Sequence, residues 1–508
     1  MANSSHKRKV GAVASYAYTL TSIVVNLLYV PLLLGGIGRA EYGLYQMVGS
    51  VIAYLGTIST ILSAGVTRYY CNFYAAGDED GMRRTLGVVT RIYRWATVGI
   101  AVVSLVVGVV FRVVYVGALT PWQLDESLLM LAILAVNVVL TMNNTISIAA
   151  ITAHEEFVFL RLTNLGVQVA QPVLVLILIH WFPVAATVCL CQLLTNGVQL
   201  ALQHGYARER LGMQIARNTR DAELTRQIFA FTGGIVLGVI ADQIFWHTDQ
   251  LILGYLYGPA VVAVYAVGAQ VVTAYHPLGT AVSSVFMPRI SELCQTDEGR
   301  AQLPDLFCSV GRVTLYPLLL VLTGFVVFGR EFVVLWAGPD YASAWVVALI
   351  LITPFTIDLC QNIALTILQV LNKYQFRAVM YLVAAILNVG LTIVLAQLFG
   401  GIGAAVATAI AIVCSSGVIM NWYYQTRIGL HVGHFWAQVA RMAAPIAVLC
   451  TVAWLVKGLF PPIASWGALI VGVLVYTALY GCVAYMFSAN EAERGLVRGL
   501  VRRIRGSK

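Results

Sequence analysis

Apolar stretches recur along the whole chain at a spacing typical of membrane-spanning helices. Each stretch is about 20 residues long, which is the length that an α-helix needs to cross a bilayer. Polar or glycine-containing segments separate them. The pattern predicts an all-α polytopic membrane protein with fourteen helices, near residues 10–34, 43–64, 95–116, 128–150, 160–180, 183–203, 228–248, 259–286, 307–329, 344–369, 376–398, 402–424, 438–457 and 464–487.

The composition is typical of an integral membrane protein. Only 10% of the residues are charged and 60% are hydrophobic, whereas about a quarter of a soluble protein is charged. The apolar run after MANSSHKRK continues to Pro31 without a clear cleavage site, so we expect a first spanning helix and not a signal peptide. The nine cysteines show no metal-ligand spacing, which favours a packing role.

The distribution of charge predicts the topology. With fourteen helices and a cytoplasmic N-terminus, Arg39, Arg112, Arg330 and Lys457 are the only ones of the 31 Lys and Arg residues that fall outside. Because cytoplasmic loops carry an excess of Lys and Arg, both termini are expected in the cytoplasm. The net charge of +9 then reflects topology, with contact to anionic lipid or a cytoplasmic partner as the lesser alternative, and no nucleic acid is expected.

The chain also repeats itself. Gly38–Tyr45 reads GRAEYGLY, and Gly258–Tyr265 reads GPAVVAVY 220 positions later. An offset of 219 then continues downstream, where it pairs Asn143 with Asn362, Phe157 with Phe376, and Ala185–Ala186 with Ala404–Ala405. A duplication in so apolar a chain is typical of a transporter.

The repeat predicts the domain organisation. The shift carries predicted helices 1–6 onto 7–12, and because six is even, both units insert with the same orientation. We therefore expect two parallel six-helix bundles and two extra C-terminal helices. The predicted parts are a first bundle at 1–206, a cytoplasmic linker at 207–227, a second bundle at 228–426, helices 13 and 14 at 427–487, and a basic cytoplasmic tail at 488–508.

Uncharged polar residues recur at steps of three and four in several predicted helices. Such a stripe marks a helix face turned away from lipid. Interhelical hydrogen bonds would explain each residue singly, whereas stripes on many helices favour a water-filled cavity suited to sugar hydroxyl groups. The predicted cavity residues are Ser22, Asn26, Tyr29, Asn137, Thr141, Asn144, Gln168, Gln171, Gln192, Asn196, Gln361 and Asn362.

Two carboxylates lie within predicted helices. A charged side chain at bilayer depth costs about 2.5 to 3.5 kcal/mol on insertion scales, so it usually faces water, a cation or a proton site. Asp242 and Asp358 are the predicted sites for a coupling proton or sodium ion, with a structural hydrogen bond as the alternative. Asp249 is closer to the outer end of its helix, where a capping or mouth position is as good an interpretation.

One arginine at the inner end of predicted helix 2 has two interpretations. Arg68, in GVTRYY, is either a topology charge or a contact for a diphosphate, because a guanidinium pairs with phosphate oxygens in bidentate fashion.

Several stretches together resemble the polysaccharide transporter family of the MOP superfamily, which contains the O-antigen flippases. They are the basic N-terminus with SYAYTL, the GRAEYGLY turn and GDEDG, and in the second half DQLILGYLYGPAVVAVYAVGAQ, FMPRISEL, LNKYQF and LNVGLTIVLAQLFGGIGAAVATAIA. The resemblance covers about residues 5 to 425.

The resemblance implies a flippase of the bacterial inner membrane that moves a polyprenyl-diphosphate-linked oligosaccharide to the periplasmic leaflet. It also implies coupling to an ion gradient, no other cofactor, and contact with membrane lipids and polysaccharide-assembly proteins. The first predicted helix has no arginine from Val10 to Leu34, which departs from lipid-precursor flippases that have a cationic cavity. The diphosphate is therefore expected near Arg68 or Arg289.

Two other functions remain open from the sequence. A multidrug or cation antiporter of the same superfamily would use buried carboxylates, and Asp242 and Asp358 would serve it. A membrane glycan polymerase or glycosyltransferase needs a sizeable extramembrane loop, and the predicted outer loops are short. Since the chain has no nucleophile constellation, phosphate loop or dinucleotide fingerprint, we expect a transporter and not an enzyme.

Overall fold

The structure is a computed structural model that describes residues 2–216, 219–491, 493–495 and 498. For residues 2–20, 234, 235 and 284 it describes the backbone alone. The side chains of the basic cluster Lys7–Lys9 and most of the predicted tail at 488–508 lie outside the described residues. The chain is 89% helical and has no strand in its described part, so the all-α prediction is confirmed.

Sixteen α-helices follow one another in the described residues. They are α1 (Ala2–Ala76), α2 (Glu79–Tyr115), α3 (Pro121–Ala153), α4 (Phe157–Leu178), α5 (Ala185–Glu209), α6 (Ala222–Tyr257), α7 (Pro259–Val285), α8 (Met287–Leu293), α9 (Asp297–Arg300), α10 (Leu303–Ala337), α11 (Ala344–Cys360), α12 (Asn362–Val370), α13 (Tyr374–Ile412), α14 (Met420–Tyr423), α15 (Val432–Gly458) and α16 (Trp466–Val483). A 3₁₀ turn occupies Pro339–Tyr341, and π-helical segments occupy Val413–Ile419, Tyr424–Ile428 and Ala484–Ser488.

Ten helices in the described residues are long and apolar enough to span a membrane, or twelve if each of two bent pairs is one span. Two of the ten, Thr21–Ala76 and Tyr374–Ile428, are 56 and 55 residues long and contain kinks at Gly38 and Gly400. At about 1.5 Å per residue, each exceeds twice the ~30 Å thickness of the hydrocarbon core. The predicted number of fourteen is not confirmed by this count, and it requires each kinked helix to cross twice.

Contacts divide the chain into two compact units. Unit 1 is Met1–Ala266 with Ala396–Gly401, and unit 2 is Val267–Leu395 with Ile402–Lys508. In unit 1, α1 packs along α3, α4 and α6, and α3 also packs along α2 and α5. The units are defined by contacts and the predicted bundles by sequence register, so the predicted bundle boundaries stay a prediction.

In unit 2, α10 packs against α11, α15 and α16. A buried ion pair fastens the C-terminal segment to it: Arg312 Nε and Nη2 donate to the two carboxylate oxygens of Glu493 at 2.8 and 2.9 Å. The Tyr316 hydroxyl donates to the same carboxylate. Burial acts to raise the pKa of Glu493, but the hydrogen bonds from Arg312, the Asn490 backbone and Tyr316 outweigh it and lower the pKa.

The repeat is visible in the backbone of unit 1. Gly38 has φ 82° and ψ 173°, and Gly258 has φ 77° and ψ −180°. This region of backbone space is open to glycine and closed to other residues, which explains why both positions are glycine. Gly38 joins the two halves of α1, and Gly258 joins α6 to α7 with the same backbone conformation, as the 220-residue register predicts.

Candidate functional site

The predicted polar stripes of α3, α4 and α5 meet inside unit 1. Asn196 Nδ2 donates to Asn137 Oδ1 at 2.9 Å, and Asn144 Nδ2 donates to Gln203 Oε1 at 2.8 Å. Gln203 Nε2 in turn donates to Thr163 Oγ1 at 2.8 Å. These hydrogen bonds connect three helices. Asn137, Asn144 and Asn196 therefore form the interhelical hydrogen bonds that were the alternative to a role in the cavity.

Other members of the stripes are not held in this way. Gln168, Gln171 and Gln192 are half-buried, and their side chains form no hydrogen bond with any residue that the structure describes. Thr141 Oγ1 donates to the carbonyl of Val138 in its own helix. These glutamine amides are therefore available to a ligand.

The polar face of α1 is arranged loosely. Asn26 Nδ2 donates to the Ser22 carbonyl at 2.9 Å, one turn away. The Tyr29 hydroxyl is buried and has no hydrogen-bond partner among the described residues. Burying a hydroxyl without a partner costs free energy, which makes Tyr29 a residue that a bound polar group would satisfy.

The two predicted coupling carboxylates differ in environment. Asp242, in α6 of unit 1, is exposed. Asp358, in α11 of unit 2, is half-buried, and its Oδ1 lies 3.5 Å from Arg377 Nη2. Asp249, by contrast, is only 1% exposed and accepts a hydrogen bond from the Tyr265 hydroxyl. The sequence did not predict that Arg377 pairs with Asp358, because it identified Arg377 only as a cytoplasmic charge.

Asp358 lies beside a break in the helix. α11 ends at Cys360, α12 begins at Asn362, and the two are bent by 43°. Gln361 at the break is buried, its Nε2 donates to the Ile357 carbonyl, and its Oε1 has no partner in the described part of the chain. Asn362 is half-buried. Broken helices with free polar groups at the break are typical of binding sites in transporters.

The two arginines predicted to contact a diphosphate lie in different units. Arg68, in unit 1, stacks over the ring of Phe231, 4.2 Å from its centroid. Arg289, in unit 2, is exposed and forms an ion pair with Glu292 at 2.7 Å in the short helix α8. Both guanidinium groups are already engaged.

A different set of arginines lies at a cavity of about 950 Å³ in unit 1, between α1, α2 and the start of α6. We call it the arginine groove. Arg91, Arg220 and Arg226 line it together with an apolar wall that includes Ile58, Ile61, Leu62, Ile92, Trp95 and Phe229. Arg226 pairs with Glu223, whereas Arg91 and Arg220 have no ion-pair partner in the described residues.

The sequence contains a periodic signal for the arginine groove. Val88, Arg91, Ile92 and Trp95 recur at steps of three, one and three, which places them on one face of α2. Arg226 and Phe229 are likewise one turn apart at the start of α6. An arginine at such a position lies within an apolar helical face, whereas the positive-inside rule treats every arginine only as a topology charge.

No metal centre is evident. Within the described ranges, no group of three or more His, Cys, Asp or Glu side chains is placed to hold a metal ion.

Residues 11–294, more than half of the chain, match the family described as polysaccharide biosynthesis protein. The chain belongs to this family. The resemblance drawn from the sequence is thereby confirmed. The chain is also 26% identical over 252 residues to the probable flippase AglR of Haloferax volcanii. That match covers 48% of the chain and 51% of AglR, so the chain spans about half the length of this curated relative.

Solved structures show the same fold at low sequence identity. Lipid II flippase MurJ, in an inward closed conformation, superposes with a TM-score of 0.76 at 11% identity, covering 96% of this chain and 99% of MurJ. An inward-facing multidrug resistance MATE family transporter of the MOP superfamily gives 0.57 at 12% identity, covering 80% and 94%. The chain therefore has the fold of the MOP superfamily.

Proposed function

We propose that the protein is a flippase that moves a polyprenyl-diphosphate-linked oligosaccharide across the cytoplasmic membrane by alternating access. The observation that carries the proposal is the arginine groove. Its apolar wall suits an isoprenoid chain, and its arginines suit the diphosphate, because a guanidinium forms charge-assisted, bidentate hydrogen bonds with phosphate oxygens. Family membership supports the connection to polysaccharide synthesis.

The position of the groove supports loading from the cytoplasmic leaflet. Arg220 belongs to the linker between α5 and α6, which the charge distribution predicts to be cytoplasmic. A lipid-linked substrate made on that side would reach the groove by lateral diffusion, with its diphosphate at the level of Arg91 and Arg220. The free amides of Gln168, Gln171 and Gln192 are the candidates for contacts with the sugar.

We also propose that transport is coupled to a proton or sodium gradient through Asp242 or Asp358. Asp358 is paired with Arg377, so a cation would bind there only after Arg377 is released. The carboxylate of Asp242 is exposed.

A multidrug antiporter is less well supported by the same geometry. Cationic drugs need accessible carboxylates. The groove is lined by three arginines and one carboxylate, Asp221, which caps α6 by accepting from the Leu224 amide. The groove thus favours an anionic amphiphile.

The test is transport of lipid-linked oligosaccharide in a deletion strain that carries variants of the gene. We expect Arg91→Gln with Arg220→Gln to reduce export about tenfold or more, since a hydrogen bond to a charged group contributes about 1.5–3 kcal/mol. Substrate should accumulate in the inner leaflet. Arg94→Gln, which removes an exposed arginine of α2 outside the groove, is the matched control and should export normally. Normal export by the double variant would contradict the proposal, and altered dye efflux with normal surface glycan would favour the antiporter.

A further inference from the structure

Two carboxylates converge on the start of α5 in unit 1. The Ala185 amide donates to Glu41 Oε2 at 2.9 Å, and the next amide, Ala186, donates to Glu126 Oε1 at 3.0 Å. Glu41 comes from α1 and Glu126 from α3, so three segments far apart in sequence meet at this point. The two side chains cap two of the amide groups that a helix N-terminus leaves unpaired.

The second oxygen of Glu126 is the unusual feature. Glu126 is only 6% exposed, and its Oε2 is buried without any hydrogen-bond donor in the described structure. Because Glu41 and Glu126 accept from successive amides of α5, their carboxyl groups lie side by side. Two ionised carboxylates are both acceptors and repel each other, so a contact between them is favourable only when one of them carries a proton.

We propose that Glu41 and Glu126 form a proton-binding site that holds one proton between their carboxyl groups. The protonated oxygen donates to the other carboxylate, and the remaining oxygens accept from Ala185 and Ala186. The buried Oε2 of Glu126 then has a partner. The shared proton belongs to both residues and to neither one alone.

The surroundings favour a proton over a metal cation. Two of the four carboxylate oxygens already accept N–H groups at the positive end of α5, which disfavours a cation at the same place. The other titratable side chains nearby are a thiol and phenols, which are ordinarily uncharged at neutral pH. Cys189 lies near Glu126, Tyr29 and Tyr45 lie near Cys189, and Tyr42 lies near both tyrosines. The nearby Arg39 donates to the Ala260 carbonyl, and Asp125 pairs with Arg112 at the surface.

Loss of the proton has a structural consequence. It would leave two negative charges in contact where α1, α3 and α5 meet, and their repulsion would separate α1 from α3 at this point. The site is restricted to the first copy of the repeat, because the register places Val261 and Trp345 at the positions of Glu41 and Glu126.

The experiment is an infrared titration of the purified full-length protein in lipid nanodiscs. The carbonyl stretch of a protonated carboxyl is followed from acidic to alkaline buffer. We expect one band in the wild type that disappears on alkalinisation and is missing in both Glu41→Gln and Glu126→Gln. Glutamine keeps an oxygen that accepts the α5 amide, so each variant retains the helix cap, and circular dichroism checks its fold. Asp125→Asn, next to Glu126 and exposed, should keep the band.

Each other outcome overturns the proposal. A band that survives either glutamine variant would mean that the proton is not shared, and absence of the band in the wild type would mean that the site is empty of protons. Displacement of the band by sodium at constant pH would identify a cation site instead. The titration needs no substrate and no transport, so its result is independent of the proposed flippase activity.

Discussion

Polar side chains inside α3, α4 and α5 show how one residue type serves two purposes in a membrane protein. Asn196 donates to Asn137 and Asn144 donates to Gln203, and such interhelical bonds average about 0.6 kcal/mol each. Gln168 and Gln192 have the same chemistry, yet no partner in the described chain. The predicted role in a sugar-binding cavity is therefore best tested on the glutamines.

At the scale of residues, the prediction concerns the two candidate coupling carboxylates, Asp242 and Asp358. Asp242→Asn should abolish the dependence of export on the ion gradient, because the neutral amide cannot exchange a proton or attract a cation. Asp358→Asn should instead reduce export at every gradient, since it leaves Arg377 without its partner. Export in inverted vesicles at imposed gradients measures both, with Asp125→Asn as the control. Unchanged gradient dependence in both variants would rule out these residues as coupling sites.

At the scale of elements, the kinked helix α1 is held by a close approach to the start of α7. A Cβ atom placed on Gly43 would clash with the Pro259 carbonyl oxygen. Gly43 follows the left-handed turn at Gly38 by five residues. The turn and the close approach together explain two glycines of the GRAEYGLY stretch.

Gly43→Ala should therefore destabilise the protein by about 1–3 kcal/mol, the usual cost of overpacking a close contact. Gly49→Ala, in the same helix, is the matched control, because nothing lies within 4 Å of its Cβ position. That control should be neutral or stabilising by up to about 1 kcal/mol through helix propensity. Thermal unfolding in detergent measures both variants, and equal stability of the two would refute the close approach.

At the scale of the whole molecule, sequence reasoning predicted the all-α class and the order of elements, because both depend on local hydrophobicity or on register. The family was predicted from the resemblance of particular stretches to known members. The paired positions Phe157 and Phe376 both lie within three residues of a helix start, at α4 and α13. What it missed depends on segments far apart in the chain. Glu41 and Glu126 meet only because α1 and α3 pack together, and the break at Gln361 has no counterpart at the paired position in α3.

At the scale of the whole molecule, the prediction concerns the membrane topology of α1 and α13. If α1 and α13 each cross twice, a cysteine at Arg39 or Phe399 should react with an impermeant thiol reagent from outside the cell. A cysteine at Asp80 should react only after permeabilisation. The background needs serine at Cys71, Cys414 and Cys482, the three cysteines that are not buried. Labelling of positions 39 and 80 from the same side would show that α1 does not cross twice.

The carboxyl pair at the start of α5 has no counterpart in the second copy of the repeat, where Val261 and Trp345 stand in the register. A transporter built from two equivalent repeats has no preferred direction of transport of its own. A proton-binding contact in one half alone makes the two halves respond unequally to acid. Such an inequality gives transport a preferred direction.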